Sequence, residues 1–312
     1  MLLIQYTLIF ASVLILVALG GCISEHSGVI NLGLEGIMVM GAMGGALAMR
    51  YMPAGSPALA IILAVVLAAA LVGMLYSALL AVACINFKAD QTIVGTALNM
   101  LGVAAATVIV KAINTAANPD DVSSVIQYAI PKQALLVNIG RFEFNWFMVV
   151  TVLALILVYV MLYKTRFGLR LMACGEHPQA AASVGINVYK MRWAGVLISG
   201  ALGGLGGIVF ITAGVSEWRF EYGVAGFGFL SLAVMIFGAW HPIKIALAAL
   251  LFGMFRALSN VYMGFDFLAS LDIPSQVYNM LPYIISLVVL AFTSKKSRAP
   301  KAEGIPYDKG SR

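Results

Sequence analysis

The sequence predicts an all-α, polytopic membrane protein, a bundle of about nine transmembrane helices. The chain is 62% hydrophobic and only 10% charged, whereas soluble domains carry about one quarter charged residues. Apolar stretches of about 20 residues recur along the whole length, and an α-helix needs this length to cross a bilayer. Residues 1–293 are therefore predicted to form one transmembrane domain, and residues 294–312 a basic, disordered cytoplasmic tail.

Nine apolar segments define the predicted spans. In chain order they cover residues 2–22, 29–49, 58–85, 91–113, 146–163, 193–214, 225–239, 243–263 and 277–293. A long polar loop, 114–145, follows the fourth segment, and a basic loop, 164–192, follows the fifth. The seventh segment is short and rich in glycine, so a re-entrant half-helix is an alternative there.

The basic residues predict the orientation. With the 164–192 loop and the tail in the cytoplasm, nine crossings place the N-terminus outside. Thirteen Lys and Arg residues then lie on the cytoplasmic side and five on the outside, which follows the positive-inside rule. Glycine-containing stretches at 18–21 and 28–33 are echoed at 201–204 and 223–228. This echo is a weak sign of inverted repeats, which are common in transporters, and chance is the alternative.

The sequence contains no pattern that predicts an enzyme. The net charge of +6 is spread over loops and tail, so it is interpreted as setting orientation and not as binding nucleic acid. There is no GxxxxGK[ST] loop for ATP. Cys22, Cys84 and Cys174 have no paired or metal-ligand spacing, and the three histidines lie far apart. We predict no catalytic residue, no metal and no cofactor, and transport is favoured.

A short helix is predicted within the basic loop. Pro178 suits the first turn of a helix, where its missing N–H costs nothing, and Gly185 suits the position after a helix end. The residues between them are small and rich in alanine. Such a smooth element could fit a groove on another protein, although a solvated connector is the alternative.

Three stretches carry a resemblance to a known family. They are "GEHPQAAASVGINVYKMRWAGVLISGALGGLGG" (175–207), "YGVAGFGFLSLAVMIFGAWHPIKIALAALLFG" (222–253) and "ALGGCISEHSGVINLGLEGIMVMGAM" (18–43). The chain resembles the permease subunits of bacterial ATP-binding cassette importers, in the branch of branched-chain amino-acid, ribose and nucleoside systems. It is most similar to the shorter permease of nucleoside importers. One departure is that Gly238-Ala239-Trp240 precedes His241-Pro242, where a polar or basic residue is expected.

The resemblance implies a set of partners and a coupling site. A second homologous permease would complete the pore, a cytoplasmic subunit with two nucleotide-binding domains would hydrolyse ATP, and a periplasmic or lipid-anchored binding protein would deliver substrate. The permease itself would sit in the bacterial inner membrane, among its lipids. The short helix would be the coupling helix that docks on the ATPase, through Glu176, Pro178, Ala180, Ala181, Val184 and Gly185.

Polar and aromatic residues at membrane depth are candidates for the translocation path. They are Asn31, Glu35, Asn99, Phe227, Phe229 and Ser231. An acid within a membrane is a functional candidate by default, but Glu35 could equally cap or pair structurally, with Asn31 or with a backbone amide. Arg256 is a further possible partner. For each of the other residues, ordinary packing is the alternative role.

The predicted function is a permease subunit of an ATP-driven importer that moves nucleosides by alternating access. One alternative is the same machine carrying a simple sugar or a branched-chain amino acid. An alternative from another class is an ion-coupled secondary transporter. That class usually needs buried acids, and of thirteen Asp and Glu residues only Glu35 is predicted to lie within the membrane.

Overall fold

The computed structural model describes residues 2–53, 55–139, 142–214, 218–264, 274–293 and 299–310. Within these residues the fold is helical, apart from one small hairpin in the 114–145 loop. The helices are α1 (Leu2–His26), α2 (Leu34–Tyr51), α3 (Ala58–Ala81), α4 (Gln91–Ala117), α5 (Trp146–Lys164), α6 (Arg166–Glu176), α7 (Pro178–Ser183), α8 (Val188–Val209), α9 (Phe227–Phe237), α10 (Pro242–Val261) and α11 (Ser275–Thr293). Helices α3 and α8 each continue into a π-helical turn, Val82–Asn86 and Phe210–Gly214.

The hairpin consists of two short antiparallel strands, β1 (Leu136–Ile139) and β2 (Phe142–Asn145), with Leu136 opposite Asn145. Asn145 also caps α5, because its side chain accepts a hydrogen bond from the amide of Phe147 at 2.9 Å. The hairpin therefore leads directly into α5.

Each of the nine predicted spans coincides with a helix, and α6 and α7 lie in the basic loop. In the described residues, six helical stretches are long and apolar enough to cross a membrane: Leu2–His26, Ala58–Asn86, Gln91–Ala117, Trp146–Lys164, Val188–Gly214 and Pro242–Val261. Helices α2, α9 and α11 are not among the six. Helix α9 has only 11 residues, so at 1.5 Å per residue it covers about half of the hydrocarbon core.

Helix α1 forms the centre of the bundle, where every residue from Ile9 to Glu25 is buried against α8, α9 and α10. Helices α2 and α3 pack on α8 through glycines. A Cβ added to Gly41 would lie 2.1 Å from the Cα of Gly204, and one added to Gly73 would lie 2.3 Å from the carbonyl oxygen of Gly200. Because lipid gives little hydrophobic drive to helix association, such backbone-to-backbone contact is a main source of packing energy.

Helix α3 shows where lipid meets the protein. Six leucines recur at every fourth position on its outer face, and each is exposed: Leu59, Leu63, Leu67, Leu71, Leu75 and Leu79. A soluble protein rarely exposes so continuous an apolar stripe. The stripe is consistent with a helix that faces the hydrocarbon.

The loops form two groups at opposite ends of the bundle. At the hairpin end, the amide of Ile130 donates to the carbonyl of Met49 at 3.3 Å, and Lys111 pairs with Glu221 at 2.6 Å. At the tail end, the amide of Ala302 donates to the carbonyl of Gly175 at 2.8 Å. Helix α1 begins beside the hairpin end and ends at the tail end.

Residues 299–310 occupy defined positions at the tail end, which differs from the disordered tail predicted for 294–312. Tyr307 is buried, only 6% exposed, among Cys174, Ala181 and Val188. An aromatic ring supplies enough apolar area to hold a short polar segment against the protein. Residues 294–298 and 311–312 lie outside the described residues.

Candidate functional site

Two helices begin at the same place inside the bundle. Helix α2 begins after the non-helical residues 27–33, and α9 begins after the non-helical residues 223–226. Helix α2 runs from there to the hairpin end, whereas α9 runs to the tail end, so the two N-termini face each other. An N-terminus presents unpaired amides and a partial positive charge. Where two such ends meet away from water, their free amides need a hydrogen-bond acceptor.

Glu35 is that acceptor. It lies in the first turn of α2, and its carboxylate reaches across to α9, where Oε1 accepts a hydrogen bond from the amide of Gly226 at 2.8 Å and Oε2 accepts one from the amide of Gly228 at 2.7 Å. Hydrogen bonds to an ionised carboxylate are roughly twice as strong as neutral ones. The geometry therefore favours the structural interpretation of Glu35 over the functional one, with backbone amides as its partners. The whole arrangement is called the helix junction below.

Asn99 on α4 forms hydrogen bonds on the α2 side of the helix junction. Its side-chain oxygen accepts from the amide of Gly36 at 2.9 Å, and its side-chain nitrogen donates to the carbonyl of Leu32 at 2.8 Å. Gly36 has to lack a side chain, because a Cβ there would lie 2.5 Å from the carbonyl oxygen of Leu98. Asn99 thus fixes the end of the non-helical 27–33 segment and the start of α2.

Three further candidates face inward and pack. Asn31 is buried and donates to the hydroxyl of Ser199 at 2.9 Å. Ser231 is buried and donates to the carbonyl of Phe227 within its own helix. The Phe227 ring is fully buried, 5.7 Å from the ring centroid of Phe10. For these three residues the structure shows packing or structural hydrogen bonds.

Phe229 is the candidate with an exposed side chain, at 50%. It lies on one stripe of α9 with Ile236, which is seven residues further along the helix and 39% exposed, and the described part of this chain does not cover that stripe. The stripe starts at the helix junction and follows α9 to the tail end. It can therefore face either a substrate path or another subunit.

Sequence reasoning missed one residue of the helix junction, Tyr283, and considered a different partner for Arg256. Tyr283 on α11 donates from its hydroxyl to the carbonyl of Ala225 at 2.8 Å, and so closes the 223–226 segment from the other side. Arg256 lies with its guanidinium over the rings of Phe10 and Phe227, 5.5 and 5.7 Å from their centroids. Arg256 was considered only as a partner for Glu35. No local pattern marks Tyr283, whose partner is 58 residues away.

The predicted short helix of the basic loop is present as α7. Pro178 occupies its first position, and Gly185 has a φ of +86°, a conformation that favours glycine. Pro178 and Ala181 are buried toward the protein, whereas Ala180 and Val184 point outward and Val184 is 76% exposed. Glu176 is exposed at the end of α6. The six coupling candidates thus divide into an inner face and an outer face.

The turn between α9 and α10 explains the departure at Gly238-Ala239-Trp240. Trp240 is buried, its indole N–H donates to the carboxylate of Glu25, and its carbonyl oxygen accepts from Cys22 at 3.2 Å. Ala239 and Trp240 both have positive φ values, 50° and 55°. The turn is therefore anchored to the end of α1. Among the described residues, no three His, Cys, Asp or Glu side chains are placed to hold a metal ion.

Comparison with known proteins identifies the family. Residues 3–290 match the family described as the branched-chain amino acid transport system / permease component. The chain belongs to this permease family. It is a multi-pass membrane protein, as the apolar helices indicate, and the predicted resemblance is confirmed.

Two relatives cover nearly the whole permease. The guanosine ABC transporter permease protein NupQ of Bacillus subtilis is 41% identical over 98% of this chain and 96% of its own length. The nucleoside ABC transporter permease protein NupC of Lactococcus lactis is 39% identical over 97% and 95%. Such permeases are membrane components and are not themselves ATPases. A second L. lactis protein, the nucleoside ABC transporter permease protein NupB, is 25% identical over 51% of this chain and 42% of its own length.

Proposed function

We propose that this permease forms half of the membrane pathway of an ATP-driven nucleoside importer. The observation that carries the proposal is similarity of about 40% over nearly the full length to two permeases whose names specify guanosine and nucleosides. The helix junction adds physical support, since transporters commonly place binding sites where discontinuous helices meet near the midplane. The relatives leave the ion-coupled alternative without support.

The proposed topology is nine spans, with the hairpin end outside and the tail end in the bacterial cytoplasm. The opposite placement of the α1 start and residues 299–310 supports an odd number of crossings. The tail end also carries the basic 164–192 loop, and basic residues favour the cytoplasm. The facing N-termini of α2 and α9 support the inverted repeat suggested by the echo of 28–33 in 223–228.

The proposed partners follow from the same evidence. A second, homologous permease would complete the pathway, and the similarity of this chain to both NupC and NupB of one organism supports that pairing. An ATPase subunit with two nucleotide-binding domains would dock on the outer face of α7, through Ala180 and Val184, while Pro178 and Ala181 hold the helix from inside. A periplasmic or lipid-anchored binding protein would bind at the hairpin end.

The proposed path follows the exposed stripe of α9. Phe229 can stack on a nucleobase, as exposed aromatic rings commonly do, while Glu35 and Asn99 would hold the starts of α2 and α9 in position beside it. The buried residues Asn31, Phe227 and Ser231 would support these helix starts by packing behind them.

The deciding experiment is uptake of labelled guanosine, ribose and leucine by cells with and without this gene. We expect guanosine uptake to depend on the gene and the other two to be unaffected. Gene-dependent uptake of ribose or leucine, with guanosine uptake unchanged, would overturn the substrate and favour the sugar or amino-acid alternative.

A further inference from the structure

The residues 299–310, called the C-terminal segment, lie between α7 and the non-helical residues 27–33, which lead to the helix junction. On one side Tyr307 is buried against Ala181, the inner face of α7, and its ring meets that of Tyr189 at 5.3 Å between centroids. The amide of Ala302 donates to the carbonyl of Gly175 at 2.8 Å, just before α7. The segment therefore contacts both ends of the α6–α8 connection.

On its other side the C-terminal segment contacts the non-helical residues 27–33. Gly304 has a φ of +76°, and a Cβ there would lie 2.9 Å from the Cδ1 of Ile30. Arg192 is buried and joins the same two elements. Its Nη1 donates to the carbonyl of Ile305 at 2.9 Å, and its Nη2 lies 2.8 Å from where a Cβ of Gly28 would be. The segment is thus enclosed between α7 and the residues that lead to Glu35.

We propose that the C-terminal segment is a transmission element, and that Tyr307 is a positioning residue that links movement of α7 to the helix junction. The inference rests on the proposed function, in which an ATPase moves α7. Close-packed interiors transmit displacement because they compress little, and Tyr307 fills the space behind Ala181. Without the ring, α7 can move against a cavity while residues 27–33 stay in place.

The test uses the importer reconstituted with its ATPase and binding protein and assayed with labelled guanosine. The measured quantity is the number of substrate molecules transported per ATP hydrolysed. Tyr307→Ala should keep the ATPase subunit and its ATP hydrolysis but lower this ratio at least about fivefold, the low end of allosteric couplings. Tyr307→Phe is the matched control. It keeps the ring and should stay within about twofold of the unmodified protein. An unchanged ratio in Tyr307→Ala overturns the proposal.

A second measurement needs no variant and no transported substrate. Amide hydrogen exchange of the assembled importer is compared with and without bound ATP. We expect protection to change together in residues 27–33, 178–185 and 299–310. Changes in the first two ranges with none in 299–310 overturn the proposal, even where Tyr307→Ala fails to assemble. Failure of the proposed function is distinguishable, since it shows as no guanosine transport by the unmodified importer.

Discussion

Replacing Glu35 with alanine tests whether this carboxylate is a structural cap. It accepts the amides of Gly226 and Gly228 at 2.8 and 2.7 Å, and it is buried. A buried donor left without a partner costs about 1–3 kcal/mol, so two orphaned amides predict a loss of about 2–6 kcal/mol in the free energy of unfolding. Glu35→Gln keeps one acceptor oxygen and should cost about half as much.

The assay is thermal unfolding of the purified importer in detergent, followed by size-exclusion chromatography of the soluble fraction. Ser231→Ala is the matched control, because Ser231 is equally buried on α9 but bonds only to a carbonyl of its own helix. We expect Ser231→Ala to stay within about 1 kcal/mol of the unmodified protein. Labelled-guanosine uptake by Glu35→Ala should fall in proportion to the folded fraction.

One result would refute this reasoning. If Glu35→Ala unfolds at the same temperature as Ser231→Ala and yet abolishes uptake, the carboxylate acts on the substrate path and not as a cap. The two amides would then have found other acceptors, and the functional interpretation of this intramembrane acid would stand.

Three further predictions concern the two ends of the bundle. Val184→Trp, on the exposed outer face of α7, should change the free energy of unfolding by no more than about 0.5 kcal/mol but lower co-purification of the ATPase. Ala181→Trp should instead destabilise the protein, because Ala181 lies on the buried inner face. Equal effects of the two variants on stability and on co-purification would contradict the two-faced helix. Single cysteines in Asp121→Cys and Lys301→Cys should react with an impermeant reagent from opposite sides of the membrane, and labelling of both in intact cells would contradict nine spans. Burial raises the pKa of Glu303 above its ordinary value of 4.5, so the docked C-terminal segment favours the protonated acid and its docking should weaken as the pH rises above about 4.5. A fluorophore on Lys301→Cys should lose anisotropy as the pH rises, and Glu303→Gln should reduce this change.

Local chemistry was enough to predict the apolar helices and the short helix of the basic loop. Hydropathy depends on each stretch alone, so the nine segments coincide with helices, and Pro178 and Gly185 bound α7 because each restricts only its own backbone. The family could also be predicted, because its motifs are long and contiguous. These features need no knowledge of what lies across the bundle.

The hydrogen-bond partners of the buried polar residues were decided only by the tertiary structure. Glu35 and its partner amides are more than 190 positions apart, and nothing in the sequence pairs them. In the same way, burial of Tyr307 behind Ala181 depends on contacts between distant segments, so composition alone predicted a disordered tail. A sequence shows which polar groups need hydrogen-bond partners inside a membrane, because an unpaired polar group there costs several kcal/mol. The packing of the helices decides which partners they find, and therefore that the acid of α2 closes the start of α9.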